Sequence, residues 1–206
     1  MADVISIREA ASVLDTDVML IAHIVDVGDV LPTPPVSKDF KDIVFTADDI
    51  ERFKTEVNRR RFLDFKSDYA DVYVQDEGPG ARGLEFGPGW TGILREFCDS
   101  LREFQNAGYR ARLRWGKEKF GALRLFTDCD NEIAAYVGER RGIAYGKSLR
   151  TCQECGELAR LQFGCSICLT LCDRHKHLVG ELDPERDGII LDVEAWSRKQ
   201  REGEPG

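Results

Sequence analysis

Histidine, methionine and tryptophan are scarce in this chain, at 3, 2 and 3 of 206 residues, and long apolar runs are missing. No stretch approaches the roughly 18 consecutive apolar residues that span a bilayer, so no membrane segment is expected. The opening Met1 to Ala10 lacks a basic stretch with an apolar core behind it, so no secretion signal is expected either. Both absences lead to the expectation of a cytoplasmic protein, where seven cysteines argue for metal ligands or free thiols rather than disulfides. There is no phosphate-cradling Walker loop, no dinucleotide fingerprint and no His-Glu-x-x-His helix. Three histidines leave little material for serine or cysteine nucleophilic catalysis. Acidic pairs abound without a motif that sets one as acid and one as base. No catalytic constellation is recognised, and a non-enzymatic protein is expected.

What is present is charge, unevenly spread. The net charge is −8, yet residues 90–177 carry 15 Lys/Arg against 11 Asp/Glu. Residues 1–64 carry 8 against 13, residues 65–89 carry 2 against 5, and residues 178–206 carry 4 against 8. A basic centre flanked by acidic ends is what a nucleic-acid surface requires. Docking between domains and solvated faces give the same pattern.

Residues 1–64 read as a first domain. Ser6-Ile7-Arg8-Glu9 has capping-box form and starts a helix to Leu14. A turn at Asp15-Thr16 leads to a second helix from Asp17 to about Val27, stopped by Gly28. Pro32-Thr33-Pro34-Pro35 interrupts regular structure, and Ile43-Val44-Phe45 reads as a short strand. Thr46 opens a third helix with Ile50, Phe53 and Val57 at helical spacing. Helix, turn, helix, hairpin, helix is the order of small winged helix-turn-helix domains, and Ile7–Leu31 weakly resembles the excisionase and MerR-like ones. That resemblance implies DNA binding, but the second helix, Asp17 to His23, offers no Arg, Lys, Asn or Gln to read bases. His23, alone on it, has no evident role.

Residues 65–89 look like an acidic Gly/Pro linker, with a short strand at Asp71–Val74. Residues 90–177 read as a basic α+β domain. Thr91 and Gly92 open a helix with Ile93, Leu94, Phe97, Leu101 and Phe104 in one stripe, closed by Asn106-Ala107-Gly108. Tyr109 to Trp115 alternates, with Ala111, Leu113 and Trp115 on one face and Arg110, Arg112 and Arg114 on the other. A turn near Gly116–Lys119 leads to a partner strand, Phe120 to Phe126, and Asp130 is placed to cap a last helix. Residues 178–206 form an acidic tail with an apolar patch from Gly188 to Trp196.

Cys152-Gln153-Glu154-Cys155-Gly156 has the form of a zinc-binding turn. Two residues between thiolates bring both sulfurs to one metal, and the glycine lets the backbone turn. Two second halves compete. Cys165-Ser166-Ile167-Cys168 gives an all-cysteine set, and Cys172-Asp173-Arg174-His175 gives a mixed one; spacing alone does not choose. The longer gap before Cys172 leaves room for a strand pair across Leu161-Gln162-Phe163. Cys98 and Cys129, each isolated, read as ordinary thiols.

Three separated motifs add a resemblance over residues 89–175. They are Gly89-Trp90 before a helix; Lys117-Glu118-Lys119-Phe120-Gly121-Ala122-Leu123-Arg124; and Cys152 to Gly156 closed by Thr170-Leu171-Cys172-Asp173-Arg174-His175. In this order they resemble a family of small, mostly uncharacterised bacterial and phage zinc-binding proteins. The resemblance implies Zn2+ held by Cys152, Cys155, Cys172 and His175, with Cys165 and Cys168 outside the set. Four protein ligands would close the shell and leave no place for a catalytic water, which makes the metal structural. Lys117 to Gly121 is either a site or the turn that fixes the hairpin; the turn is favoured.

A candidate nucleic-acid surface follows from Arg110, Arg112, Arg114 and Arg124 on the strands, with Arg140, Arg141, Lys147 and Arg150 before the cysteines. The expected whole is an α+β protein. A winged-helix-like domain precedes a helix-strand-strand-helix domain closed by zinc, and the expected role is regulatory contact with nucleic acid. The competing reading is a protein–protein adaptor or inhibitor of immunity or phage counter-defence type, with zinc purely structural.

Overall fold

The computed structural model describes residues 4–32, 43–75, 77–78 and 80–183, and it is a mixed α and β structure. The Pro34-Pro35 segment and the apolar patch at 188–196 lie outside the described residues.

Local signals set the first elements. Strand β1 (Ile5–Ser6) runs into helix α1 (Ile7–Val13), and the Ser6–Glu9 capping box forms as expected. Asp15, at φ 48°, makes the turn, and Asp17 caps helix α2 (Val18–Asp26) by accepting from the Met19 amide. Gly28, at φ 78°, ends it in the left-handed region that glycine occupies most cheaply. Strand β2 (Val44–Phe45) pairs antiparallel with β1, Ile5 opposite Phe45. Ala10, Ile21, Ile24, Phe45, Phe53 and Val57 close a first core.

Helix α3 spans Ala47–Asp68, started by a second capping box of Thr46 and Asp49. It is 22 residues long, about 33 Å at the helical rise. The boundary expected after residue 64 therefore falls inside a helix. No Gly or Pro interrupts α3, and its apolar face changes partner along its length. Phe53 and Val57 belong to the first core, whereas Phe65 joins Tyr69, Val72 and Tyr73 in a second. A composition shift cannot report such a handover.

The expected linker is likewise built into the fold. Val72 and Val74 exchange backbone hydrogen bonds with Leu113, and strand β3 (Leu84–Glu85) pairs in parallel with strand β4 (Ala111–Lys119). A 3-10 turn at Pro88–Trp90 feeds helix α4 (Thr91–Asn106), whose Leu94, Phe97 and Leu101 cover the sheet. Strand β5 (Ala122–Cys129) completes the order β3-β4-β5. Helix α5 (Ala134–Ser148) returns across the same side as α4, burying Val137 and Ala144. Each large side chain buried here contributes on the order of 2 kcal/mol. The carboxylate of Asp130 does not cap this last helix. It accepts from the Arg110 amide at 2.7 Å, and a 3-10 turn at Asn131–Ile133 leads into α5 instead.

The strict alternation expected along Tyr109–Trp115 breaks within β4. Register shifts between Leu113 and Trp115, the mark of a β-bulge. Ala111 and Leu113 are buried, but after the bulge the buried position is Gly116, and Trp115 moves to the outer face. A small hairpin of β6 (Arg160–Phe163) and β7 (Cys168–Leu171), matching the strand pair expected at Leu161–Phe163, follows the cysteine turn. Cys152, Cys155, Leu171 and Val179 form a third, small core.

Candidate metal centre

The turn from Cys152 to Gly156 is a tight backbone structure. The Cys152 amide donates to the Glu157 carbonyl at 2.7 Å, and the Gly156 amide donates to the Cys152 carbonyl at 2.8 Å. Gly156 sits at φ 80°, a conformation any Cβ would strain. Facing this turn, β7 ends at Leu171, and Cys172 opens a second turn closed by the His175 amide on the Cys172 carbonyl at 3.0 Å.

The two turns bring Cys152, Cys155, Cys172 and His175 together, with one ligand atom from each lying within 4.8 Å of the others. Cys152 Sγ is 3.5 Å and Cys172 Sγ 3.3 Å from His175 Nδ1, and Cys155 Sγ is 3.8 Å from Cys172 Sγ. Three thiols and one imidazole in a half-buried cluster suit a soft divalent metal in tetrahedral coordination. Within the Cys152–Cys155 pair the proton is drawn to Cys155, whose thiol is pushed up by the Cys152 sulfur and by burial. The Cys152 thiol is pulled below its ordinary value, chiefly by the Cys155 thiol and also, against burial, by amides of Cys172, Cys155 and Glu154. The four residues thus form a site that can hold a metal ion.

Of the two sets that spacing left open, the structure assembles the mixed one. Cys165 is exposed in the turn between β6 and β7, and neither it nor Cys168 joins the cluster. Cys98 is fully buried in the second core and Cys129 packs at its edge, as ordinary thiols do.

All three resemblance motifs converge on the cluster. The Gly89 amide donates to the Gln153 carbonyl at 2.6 Å, and the Trp90 indole donates to the Thr151 carbonyl at 2.7 Å. A Cβ on Gly89 would collide with the Cys152 carbonyl and with the amides of Cys155 and Gly156. Lys117 to Lys119 end strand β4, and the hairpin turn is Phe120-Gly121, later in the chain than the turn expected near Gly116–Lys119. The Glu118 carboxylate accepts from the Gly121 amide, with Phe120 at φ 55° and Gly121 at φ 74°. The buried Thr170 hydroxyl donates to the Gly121 carbonyl at 2.6 Å, which docks this turn onto β7.

Sequence reasoning missed the contribution of α3. Asn58 donates from its side chain to the Cys155 carbonyl at 2.9 Å, Lys54 pairs with Glu157, and Arg174 pairs with Glu51 at 3.5 Å. Glu51, Lys54 and Asn58 recur at helical spacing on one face, and that periodicity was the available signal. It could not name a partner a hundred residues away.

The predicted basic residues divide. Arg110 is held by Asp128 and Asp130 at 3.6 and 3.5 Å, and Lys147 by Glu96. Arg124 lies over the Tyr145 ring at 4.5 Å, with its Nε buried. Arg114 sits half-buried at the bulge. Arg112, Arg140, Arg141 and Arg150 are exposed and form no ion pair among the described residues. Arg112 is on the sheet; Arg140, Arg141 and Lys147 belong to α5, on the helical side, and Lys147 and Arg150 line a groove beside Gly156. One continuous basic face does not form. No helix among the described residues is long and apolar enough to cross a membrane.

The exposed side of α2 carries Met19, His23 and Asp26, with no Lys or Arg among them, which suits its lack of base-reading side chains. The chain matches no protein-family model, no curated protein and no solved structure.

Proposed function

We propose that this is a non-enzymatic regulatory protein in which Zn2+ at Cys152, Cys155, Cys172 and His175 fixes a basic central domain for contact with nucleic acid. The observation that carries the metal half is the cluster itself, four ligand atoms within 4.8 Å on two turns. A four-ligand shell has no open position, so the ion organises structure and activates no water. Membership of the small zinc-binding family belongs to the same proposal, supported by the meeting of its three motifs around the cluster.

Nucleic-acid contact is supported by the net positive charge of residues 90–177 and by the exposed Arg112, Arg140, Arg141 and Arg150. Guanidinium groups without carboxylate partners are free to pair with phosphate bidentately. The order β1-α1-α2-β2-α3 supports a winged-helix-like reading of the N-terminal part, whose α2 presents no Lys or Arg. In this reading that part regulates or docks, and the central domain makes the phosphate contacts.

Fluorescence anisotropy of zinc-loaded protein with labelled single- and double-stranded DNA and RNA, from about 50 to 200 mM salt, tests this. Affinity that falls steeply with salt, and falls again when Arg112, Arg140, Arg141 and Arg150 are changed to Glu, supports it. Absence of binding at the lowest salt removes it. The adaptor or inhibitor reading would then lead, favoured by the exposed Val13, Met19, Val27 and Leu31 of the N-terminal part.

A further inference from the structure

The bulge in β4 has a consequence for the outer face of the sheet. It turns Trp115 outward, opposite Phe126 of β5, and the two rings stack with centroids 3.4 Å apart and planes 9° from parallel. Arg82 lies over the Trp115 ring at 4.7 Å, and the Lys117 ammonium lies 5.8 Å from the same ring. Trp115 and Phe126 are only half-buried and stand outside the core cluster that α4 and α5 cover. Stacked aromatic side chains in a solvent-facing position, flanked by cations, form a planar column that hydrophobic burial alone does not explain.

We infer that the Trp115–Phe126 column is a stacking platform for unpaired bases of a single-stranded nucleic acid, with Arg82, Lys117 and Arg112 taking its phosphates. Every base has a π-face, so stacking on an aromatic platform needs no sequence and is open only to bases not already stacked in a duplex. Charge complementarity selects the occupant. Arg82 and Arg112 are exposed, and Lys117 lies on β4 beside the Trp115 ring. Arg82 arrives from residues 80–83 beside the parallel strand β3, so its guanidinium can leave Trp115 for a phosphate as a base takes its place. The bulge is thus the device that exchanges a core tryptophan for a surface one.

This inference rests on the nucleic-acid reading above and narrows it to single strands and to one face. The test uses the full zinc-loaded chain with labelled oligo-dT, oligo-U and a duplex of matched charge at about 50 mM salt, with tryptophan fluorescence recorded in parallel. Single strands are expected to bind more tightly than the duplex and to quench the fluorescence. Trp115→Ala and Phe126→Ala are each expected to weaken single-strand binding on the order of tenfold and to leave duplex binding unchanged. Trp115→Phe keeps a ring in the column and should retain most of the affinity. Arg82→Glu with Lys117→Glu should lose it without touching the stack, which keeps the test decisive if the alanine variants fold poorly. Wild-type single-strand affinity in the ring and charge variants, or preference for the duplex, overturns the platform and leaves the broader phosphate-contact reading standing. Absence of binding to every probe removes both.

Discussion

The side-chain amide of Asn58, in the middle of α3, donates to the backbone carbonyl of Cys155 at 2.9 Å. Through this bond a helix begun in the N-terminal core supports a ligand turn 97 residues further along the chain. Lys54 and Glu157 pair alongside, and Lys54 holds the Glu157 carboxyl below its ordinary value. Asn58→Ala is expected to cost about 1 kcal/mol and to speed amide exchange at Cys155, Gly156 and Glu157. Lys54→Ala, which breaks a partly exposed ion pair, should cost less than about 1 kcal/mol. Urea denaturation and hydrogen exchange on the two variants check the order. Equal exchange in wild type and Asn58→Ala would show that the helix does not brace the turn.

Glycine substitutions should separate by sign. Gly89→Ala drives a methyl group into the Cys152 carbonyl and is expected to cost about 2–3 kcal/mol. Gly121→Ala meets both a left-handed backbone and the Leu161 side chain, with a comparable loss. Gly142 and Gly146 sit within α5 with nothing near the added Cβ, so alanine there should stabilise by about 0.5–1 kcal/mol. Thermal melts of the four variants read this directly.

Zinc content should track four residues only. Cys172→Ser and His175→Ala are expected to lose the metal, while Cys165→Ser and Cys168→Ser retain it in full. A structural zinc contributes binding free energy to folding, so chelation should lower the thermal midpoint and expose the small core of Leu171 and Val179. Metal analysis of purified variants gives the first result, and melts with and without chelator give the second. Metal loss in Cys165→Ser would point to the all-cysteine set.

Acid sensitivity should be strongest in the N-terminal half. Glu56 is buried and bound by Arg59 and Arg60, which hold its carboxyl below its ordinary 4.5, the Arg59 hydrogen bond foremost. A carboxyl with a depressed folded pKa contributes stability that is present above the unfolded value and lost as pH falls through the folded one. Stability should therefore decline as pH drops below about 4.5, and Glu56→Gln should flatten that decline while lowering stability at neutral pH. Denaturation midpoints across that acid range, compared between wild type and Glu56→Gln, measure it.

Local chemistry made much of this protein legible in its sequence. The Ser6 capping box, the Gly28 stop, the Leu94–Phe97–Leu101 stripe and the paired cysteine turns each act within a few residues. Their physics is the same in any context. The tertiary structure alone decided the rest. It carried α3 across the expected boundary and set Asn58 against Cys155, because a helix face can change partners without any change in its own periodicity. It assembled Cys172 and His175, the set the motif resemblance implied, where spacing alone left Cys165 and Cys168 open, because spacing limits how far a ligand can reach but not which way a hairpin faces. It dispersed the expected arginine face, because Asp128 and Asp130 pair with Arg110, Arg124 lies over the Tyr145 ring, and Arg140 and Arg141 sit on α5 instead of the sheet. Each segment's residues set the chemistry it can offer; long-range packing determined which of those groups meet.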